Sequence, residues 1–212
     1  MRKYYLLALF ICTIQLSWAG PPEEVALNLV DKAIGHKNFQ ATFTYRFQSE
    51  QDEASEEQVG SITVQGYQYR LAMGGQEIVS DGKIVWNYLP DAKEVQINDY
   101  NPEQGAGTPW PLLTNYRQDY KFHDFQGTQK IGKKHYDIVT VIADDPNNDL
   151  QQIAITIERG THHIKRLEAL DSNRQRHIFS ITKFRTDLAL DDAFFKFIPE
   201  NYEDIEVIDM RE

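Results

Sequence analysis

The series of short apolar stretches between residues 60 and 98 constrains the fold more than any other feature. Five stretches rich in β-branched and aromatic residues follow one another, at residues 60–64, 67–73, 76–79, 83–88 and 94–97. Gly74-Gly75, Asp81-Gly82 and Pro90-Asp91 separate them. Asp-Gly between two apolar stretches favours a two-residue hairpin, because the central residues of such a turn need a positive φ. The sequence therefore predicts a meander of antiparallel strands.

The rest of the chain extends this pattern on both sides. Residues 22–35 show the spacing of an amphipathic helix, and apolar residues from Phe39 to Phe47 alternate with polar ones, as in a strand with one apolar face. Further strands are predicted at residues 120–126, 134–144, 150–159, 163–170 and 174–185. A sheet of this size curls or closes to protect its edges. We therefore expect a mainly β (α+β) fold, a curled antiparallel half-barrel of about ten or eleven strands with helices covering its concave face.

The amino terminus has the pattern of an export signal. Two basic residues precede an apolar stretch over residues 5–16, and Ser17-Trp18-Ala19 fits a small-x-small cleavage site. We predict a cleavable signal peptide over residues 1–19, followed by a single domain over residues 20–212. Export would place the mature protein outside the cytoplasm.

Two other readings of the amino terminus are weaker. A membrane anchor would need about 20 apolar residues, whereas Pro21-Pro22 follow this stretch directly. A lipoprotein signal ending at Cys12 would need small residues before the cysteine, and Phe10 and Ile11 are bulky. Cys12 is the only cysteine of the chain, so the mature protein would have no disulfide and must fold by its core alone.

The charge of the chain bears on its partners. The formal net charge is −10 at pH 7, and the sequence has no run of Lys and Arg. An acidic chain of this kind argues against binding to nucleic acid and to anionic membrane surfaces. Solubility is the simplest interpretation of this charge.

The polar residues form no recognisable catalytic or metal-binding pattern. The six histidines lack the spacing of a metal motif, and no Gly-x-Ser-x-Gly is present. Asp145-x-Asn147-x-Asp149 resembles the start of a calcium loop but lacks the glycine and the closing glutamate that such a loop needs. We expect no catalytic residues, no metal and no cofactor, and hence a binding protein and not an enzyme.

Several motifs, in order along nearly the whole mature chain, resemble the LolA family of periplasmic outer-membrane lipoprotein carriers. The most specific is Ser80-Asp-Gly-Lys-x-x-Trp86 with its flanks from Val79 to Pro90. The others are Phe39-x-Ala-x-Phe43, Gly60-x-Ile-x-Val64, Tyr69-Arg70, Thr108-Pro-Trp-x-Leu-Leu113 and Phe195-x-Phe197-x-Pro199. Tyr69-Arg70 and the tail from Glu206 to Arg211 resemble the branch found in Bacteroidota.

The resemblance implies a function. A protein of this family works in the periplasm, binds the acyl chains of lipoproteins in an apolar cavity, and ferries them from the inner to the outer membrane. Its implied partners are lipoproteins, an inner-membrane lipoprotein-releasing ABC transporter and an outer-membrane acceptor, and we expect a monomer. The alternative is a periplasmic lipid- or lipoprotein-sensing module on the same half-barrel, which would normally bring an extra domain.

Alternation within each strand suggests which side chains would line the cavity, although ordinary core packing explains each one equally well. The candidates are Phe43, Phe47, Tyr69, Leu71, Met73, Trp86, Tyr88 and Ile155, together with Trp110, Leu112 and Leu113 in a segment that resembles the family's lid. One departure from the family concerns the gating of this lid. The family's latching arginine has no counterpart here, because Gly66-Tyr67 occupies its place.

Overall fold

The computed structural model describes residues 22–49, 57–101 and 116–211, which form one large sheet with few helices. The helices are α1 (Pro22–Ile34) and the single turn α2 (Tyr116–Asp119), with 3₁₀ turns at Asp192–Phe195 and Pro199–Asn201. The strands are β1 (Asn38–Gln48), β2 (Gln58–Gln65), β3 (Gln68–Met73), β4 (Gln76–Ser80), β5 (Ile84–Leu89), β6 (Glu94–Asp99), β7 (Tyr120–Ile131), β8 (Lys134–Ala143), β9 (Leu150–Glu158), β10 (Ile164–Asp171), β11 (Arg176–Thr186) and β12 (Glu206–Asp209).

The sheet is open and almost wholly antiparallel. Its twelve strands lie in the order β12-β6-β5-β4-β3-β2-β1-β11-β10-β9-β8-β7, so β12 and β7 form the two edges. This arrangement confirms the predicted curled half-barrel. The sheet has twelve strands where about ten or eleven were predicted, and β12 is the strand that the prediction lacked. That strand has only four residues and pairs in parallel with β6, and so short a stretch shows no clear alternation.

Helix α1 defines what we call the inner face of the sheet. Glu23 and Glu24 lie in its first turn, where acidic side chains interact favourably with the helix dipole. Ala26, Val30 and Ala33 recur at helical spacing and are fully buried. The helix packs chiefly against β7, β8 and β9. It therefore covers one side of the inner face.

The inner face carries the larger of two hydrophobic clusters. Cross-strand pairing puts Phe43, Phe179 and Leu167 on this face together with Ile153 and Ile155. Fully burying one such side chain contributes about 1.5–3 kcal/mol. The alternation of apolar and polar residues along each strand therefore fixes which side of the sheet packs against α1.

The opposite side, the outer face, carries a second and smaller cluster. Its buried members on the strands are Val79, Trp86, Val95 and Ile97. The carboxy-terminal segment covers them with Phe197, Tyr202 and Ile205. Because this segment then continues into β12, it both covers the outer face and extends the sheet at one edge.

Candidate apolar binding face

Six of the predicted cavity residues share the inner face, and they are Phe43, Phe47, Tyr69, Leu71, Met73 and Ile155. Phe43 lies opposite Gly60 on β2, and Gly60 lies opposite Met73 on β3. A side chain at Gly60 would come within 2.6 Å of the Phe43 ring. Glycine at this position therefore lets the ring of Phe43 extend over β2 towards Met73.

Tyr69 and Leu71 are the buried members of this group on β3. Their exposed fractions are 5% and 3%, and they pair with Val64 and Ile62 of β2. Burial raises the pKa of the Tyr69 phenol well above its ordinary value, with a smaller contribution from Tyr100. The phenol is therefore neutral at any physiological pH.

Burial of the apolar side chains differs along the inner face. Beneath α1, Val139, Val141, Ile153 and Ile155 are 0% exposed. On the side away from α1, some side chains of the same face are buried as well, among them Ile62 and Leu71. Others there are only partly buried, and they are Tyr45, Phe47, Val64, Met73 and Ile78. Ile155 is thus a core residue beneath the helix, whereas Phe47 and Met73 lie where the apolar face is partly exposed.

The placement of Trp86 and Tyr88 on this surface was wrong. Trp86 pairs with Val79, and Tyr88 with Glu77, both on the face opposite to Leu71 and Ile78. The two aromatic side chains instead pack in the outer cluster, where the ring centroids of Tyr88 and Phe197 are 5.2 Å apart. Alternation within β5 indicates that they share a face, but the register with β4 decides which face it is.

Three other candidates, Trp110, Leu112 and Leu113, lie outside the described residues, as does the predicted signal peptide. Gly66 lies in the β2–β3 turn with a φ of +59°, and a Cβ atom there would meet nothing within 4 Å. The turn thus favours glycine for its backbone conformation and not for lack of space.

A polar chain on the inner face was not predicted. The Tyr45 hydroxyl lies 2.9 Å from Nδ1 of His177, and Nε2 of His177 lies 3.3 Å from Asp171. Asp171 also accepts hydrogen bonds from the backbone N–H groups of Asn173 and Gln175 in the β10–β11 turn. Burial, and to a smaller extent Asp171, raises the pKa of Tyr45. Asp171 and His177 belong to one hairpin, but Tyr45 is distant from both in sequence, so only the register of β1 with β11 brings it to His177.

A second polar contact fastens α1 to the chain just before β7. The Tyr116 hydroxyl donates to Asp31 at 2.5 Å and to the Leu27 carbonyl at 3.1 Å. Arg117 donates to both oxygens of Asp31, at 3.0 and 3.1 Å through Nε. The Arg117 hydrogen bond lowers the pKa of Asp31 against the opposing effect of burial. These contacts hold α1 over the β7 side of the inner face.

Two further findings apply to the described part of the chain. In residues 22–49, 57–101 and 116–211, no three His, Cys, Asp or Glu side chains come together in a way that could hold a metal ion. The same ranges contain no helix that is both long enough and apolar enough to cross a membrane.

The protein has an open antiparallel sheet whose apolar inner face lies beneath its first helix. These features place it in the class of open half-barrel proteins with one apolar face. The family described as outer membrane lipoprotein carrier protein LolA matches residues 35–198, and the chain belongs to this family. This finding confirms the resemblance seen in the motifs.

Individual relatives agree with this assignment. The outer-membrane lipoprotein carrier proteins of Shewanella sp. (strain MR-4) and Shewanella sp. (strain ANA-3) are 28% and 29% identical to this chain over 148 residues. The match covers 69% of this chain and 66% of each relative. The structure of an uncharacterized conserved protein from Thermus thermophilus superposes with a TM-score of 0.58 at 15% identity, over 88% of this chain and 98% of that one. This last likeness shows the fold alone.

Proposed function

We propose that the protein binds the acyl chains of lipoproteins on its inner face and carries them from the inner to the outer membrane. One observation supports this most strongly. The inner face stays apolar from β9 to β4, and away from α1 it includes the partly exposed side chains of Phe47, Met73 and Ile78 beside buried ones. The binding surface would be the partly exposed part.

The energetics of such cargo match this surface. Each methylene removed from water contributes about 0.8 kcal/mol, so a long acyl chain cannot cross an aqueous compartment uncovered. Aromatic and flexible apolar side chains such as Phe47 and Met73 suit cargo of variable shape, because methionine adapts readily to different neighbours. Binding of this kind needs no nucleophile, metal or nucleotide, so we propose a carrier and not an enzyme.

The proposed setting follows from the family and from the sequence. The signal peptide over residues 1–19 would deliver a single domain, residues 20–212, to the periplasm. An inner-membrane lipoprotein-releasing ABC transporter would load the carrier, and an outer-membrane acceptor would unload it. The names of the Shewanella relatives support the carrier role within this setting.

A competition experiment tests the proposal. The mature protein is loaded with an environment-sensitive apolar dye, and an acylated peptide or its deacylated twin is added. We expect only the acylated peptide to displace the dye. Equal displacement by both peptides would count against acyl-chain binding.

A pair of variants locates the surface in the same experiment. Phe47→Asp puts a charge on the partly exposed inner face, so we expect acylated peptide to bind at least tenfold more weakly. Val59→Asp makes the same change in a residue that is 69% exposed on the outer face of the neighbouring strand β2. This control should bind like the wild type.

A further inference from the structure

The β7–β8 hairpin is basic, although the chain as a whole is acidic. Three lysines lie within five residues at its tip, Lys130, Lys133 and Lys134. The turn at the other end of β8 holds three aspartates, Asp144, Asp145 and Asp149. β8 has ten residues, so the two ends lie roughly 30 Å apart. Screening acts over about 8 Å at physiological ionic strength, and the aspartates therefore do not cancel the charge of the lysines.

The tip of this hairpin projects a large apolar side chain into solvent. Ile131 pairs with Lys134, which leaves Gly132-Lys133 as a two-residue turn. Gly132 has a φ of +64°, a conformation that glycine adopts readily at the first position of such a turn. Residues 129–135 are all exposed, and Ile131 is 59% exposed. The hairpin thus holds an aliphatic side chain among lysines, away from either hydrophobic cluster.

The positive charge of the hairpin is only partly neutralised. Two ion pairs with N–O distances of 2.8 Å lie beside it, Lys134 with Glu158 and Arg159 with Asp137. Lys130 and Lys133 have no ion-pair partner in the part of the chain that the structure describes. The hairpin and its ion-pair partners therefore carry two positive charges in excess.

The residue types at the tip favour a lipid surface over a protein. Protein interfaces are poor in lysine and rich in aromatic residues and arginine. An anionic bilayer attracts clustered lysines, whose aliphatic stems cover apolar surface while the ammonium groups stay in water. An apolar side chain between them can enter the boundary between head groups and acyl chains. Ile131 with its neighbouring lysines has this composition.

We propose that the tip of the β7–β8 hairpin, Lys130–Lys134, binds reversibly to the surface of a bilayer that contains anionic phospholipid. Ile131 would enter the head-group region, and Lys130 and Lys133 would face the lipid phosphates. The net charge of the chain argued against such a surface, but it averages over two distant ends of β8. One apolar side chain and a few lysines hold a protein only weakly. This inference goes beyond the proposed function and does not depend on a bound acyl chain.

The test measures binding of the mature protein to lipid vesicles by co-sedimentation. The vesicles consist of phosphatidylcholine alone or of an equimolar mixture with phosphatidylglycerol. We expect the wild type to bind only the mixed vesicles, because they carry negative charge. Binding should weaken as the salt concentration rises, since salt screens the lysines from the phosphates.

Two double variants that lower the net charge equally test whether the hairpin is responsible. Lys130→Gln with Lys133→Gln removes the two lysines that lack an ion-pair partner. Each lysine near an anionic surface contributes roughly fivefold to affinity, so we expect binding at least tenfold weaker. The control, Lys93→Gln with Lys121→Gln, removes two exposed lysines from the opposite end of the sheet. It should bind like the wild type.

A fluorescent label tests whether the tip itself enters the bilayer. Ile131→Cys carries an environment-sensitive dye, and Val59→Cys carries the same dye at a residue that is 69% exposed at the start of β2. We expect mixed vesicles to raise the emission at residue 131 and shift it to shorter wavelength, and to leave residue 59 unchanged. Thermal unfolding of every variant checks that the fold is intact.

Several outcomes would overturn the inference. They are failure of the wild type to bind mixed vesicles, equal binding to both kinds of vesicle, and equal losses in the two double variants. A label at residue 131 that responds to poly-L-glutamate but to neither kind of vesicle would also overturn it, in favour of an acidic protein. Displacement of the apolar dye by acylated peptide should stay at the wild-type level in all variants. Loss of vesicle binding would thus leave the proposed function standing, and the reverse also holds.

Discussion

The two faces of the sheet bury apolar side chains in different ways. On the outer face, the carboxy-terminal segment of the chain itself covers the small cluster around Trp86 with Phe197 and Tyr202. On the inner face, α1 lies chiefly over β7–β9, and the apolar surface continues beyond these strands to β4. The outer cluster is therefore packed as a conventional core, while the inner face has more apolar surface than α1 covers.

This difference separates residues that stabilise the fold from those that we propose to contact a ligand. Aromatic side chains are abundant on both faces, so aromatic content does not distinguish them. What distinguishes them is the element that packs on top. Tyr88 and Phe47 are both only partly buried. Tyr88 contacts Phe197 and Tyr202 of the carboxy-terminal segment, which lies over the outer face, whereas Phe47 contacts His177 of the neighbouring strand β11.

The largest expected effect is a loss of stability when a ring is removed from the outer cluster. Phe197→Ala removes a ring that is 4% exposed and stacked on Tyr202 with centroids 4.6 Å apart. We expect a loss of about 3–5 kcal/mol in the free energy of unfolding, measured by urea denaturation. Binding of an acylated peptide to the folded fraction should not change. A loss of affinity without a loss of stability would contradict the assignment of the outer cluster to the fold.

The next largest expected effect is a difference in lost stability between variants at two positions on the inner face. Ile155→Ala removes a fully buried side chain beneath α1, and we expect it to cost about 2–5 kcal/mol of folding free energy. Met73→Ala removes a partly buried one, so less packing is lost and the cost should be clearly smaller. Only Met73→Ala should weaken binding of the acylated peptide. Equal losses of stability in the two variants would argue against the change in burial across this face.

The smallest effect concerns how α1 is fastened. The folded-state pKa of Asp31 lies below its unfolded value of 3.8, mainly because Arg117 donates a hydrogen bond to it. The contribution of this contact to stability is therefore present above pH 3.8 and is lost as the pH falls through the folded-state pKa.

The variant Asp31→Asn isolates this contribution. The Asp31 side chain is 41% exposed, so we expect the variant to lose only about 0.2–1 kcal/mol at pH 7. Denaturant unfolding at pH 7 and pH 3 measures the difference between variant and wild type. This difference should shrink at the lower pH, and a difference that grows instead would refute the role given to the contact.

Much of this architecture could be predicted from the sequence because it depends on local patterns. The glycine-containing turns and the period-two alternation predicted the strands of the meander, and the size of the predicted sheet led to the curled half-barrel. Alternation within a strand also grouped Phe43 with Phe47 and Tyr69 with Leu71, and the members of each pair do share the inner face.

The errors arose where the pairing between strands, and not the pattern within one strand, decides the outcome. The faces of Trp86 and Tyr88 depend on how β5 pairs with β4, and a shift of one residue moves every side chain to the other face. The contact of Tyr45 with His177 joins residues at opposite ends of the chain, so no local pattern predicts it. β12 exists because a parallel partner, β6, is available at the edge of the sheet.

Photo-crosslinking tests the central claim most directly, because it reports which face a bound acyl chain contacts. A peptide whose acyl chain carries a diazirine is bound to the mature protein and irradiated, and the labelled residues are mapped by mass spectrometry. Our account predicts labelling of Phe47, Met73 and Ile78 on the inner face, which excess unlabelled acylated peptide suppresses. Labelling of Trp86, Tyr88 and Phe197 on the outer face, with none on those three residues, would contradict it.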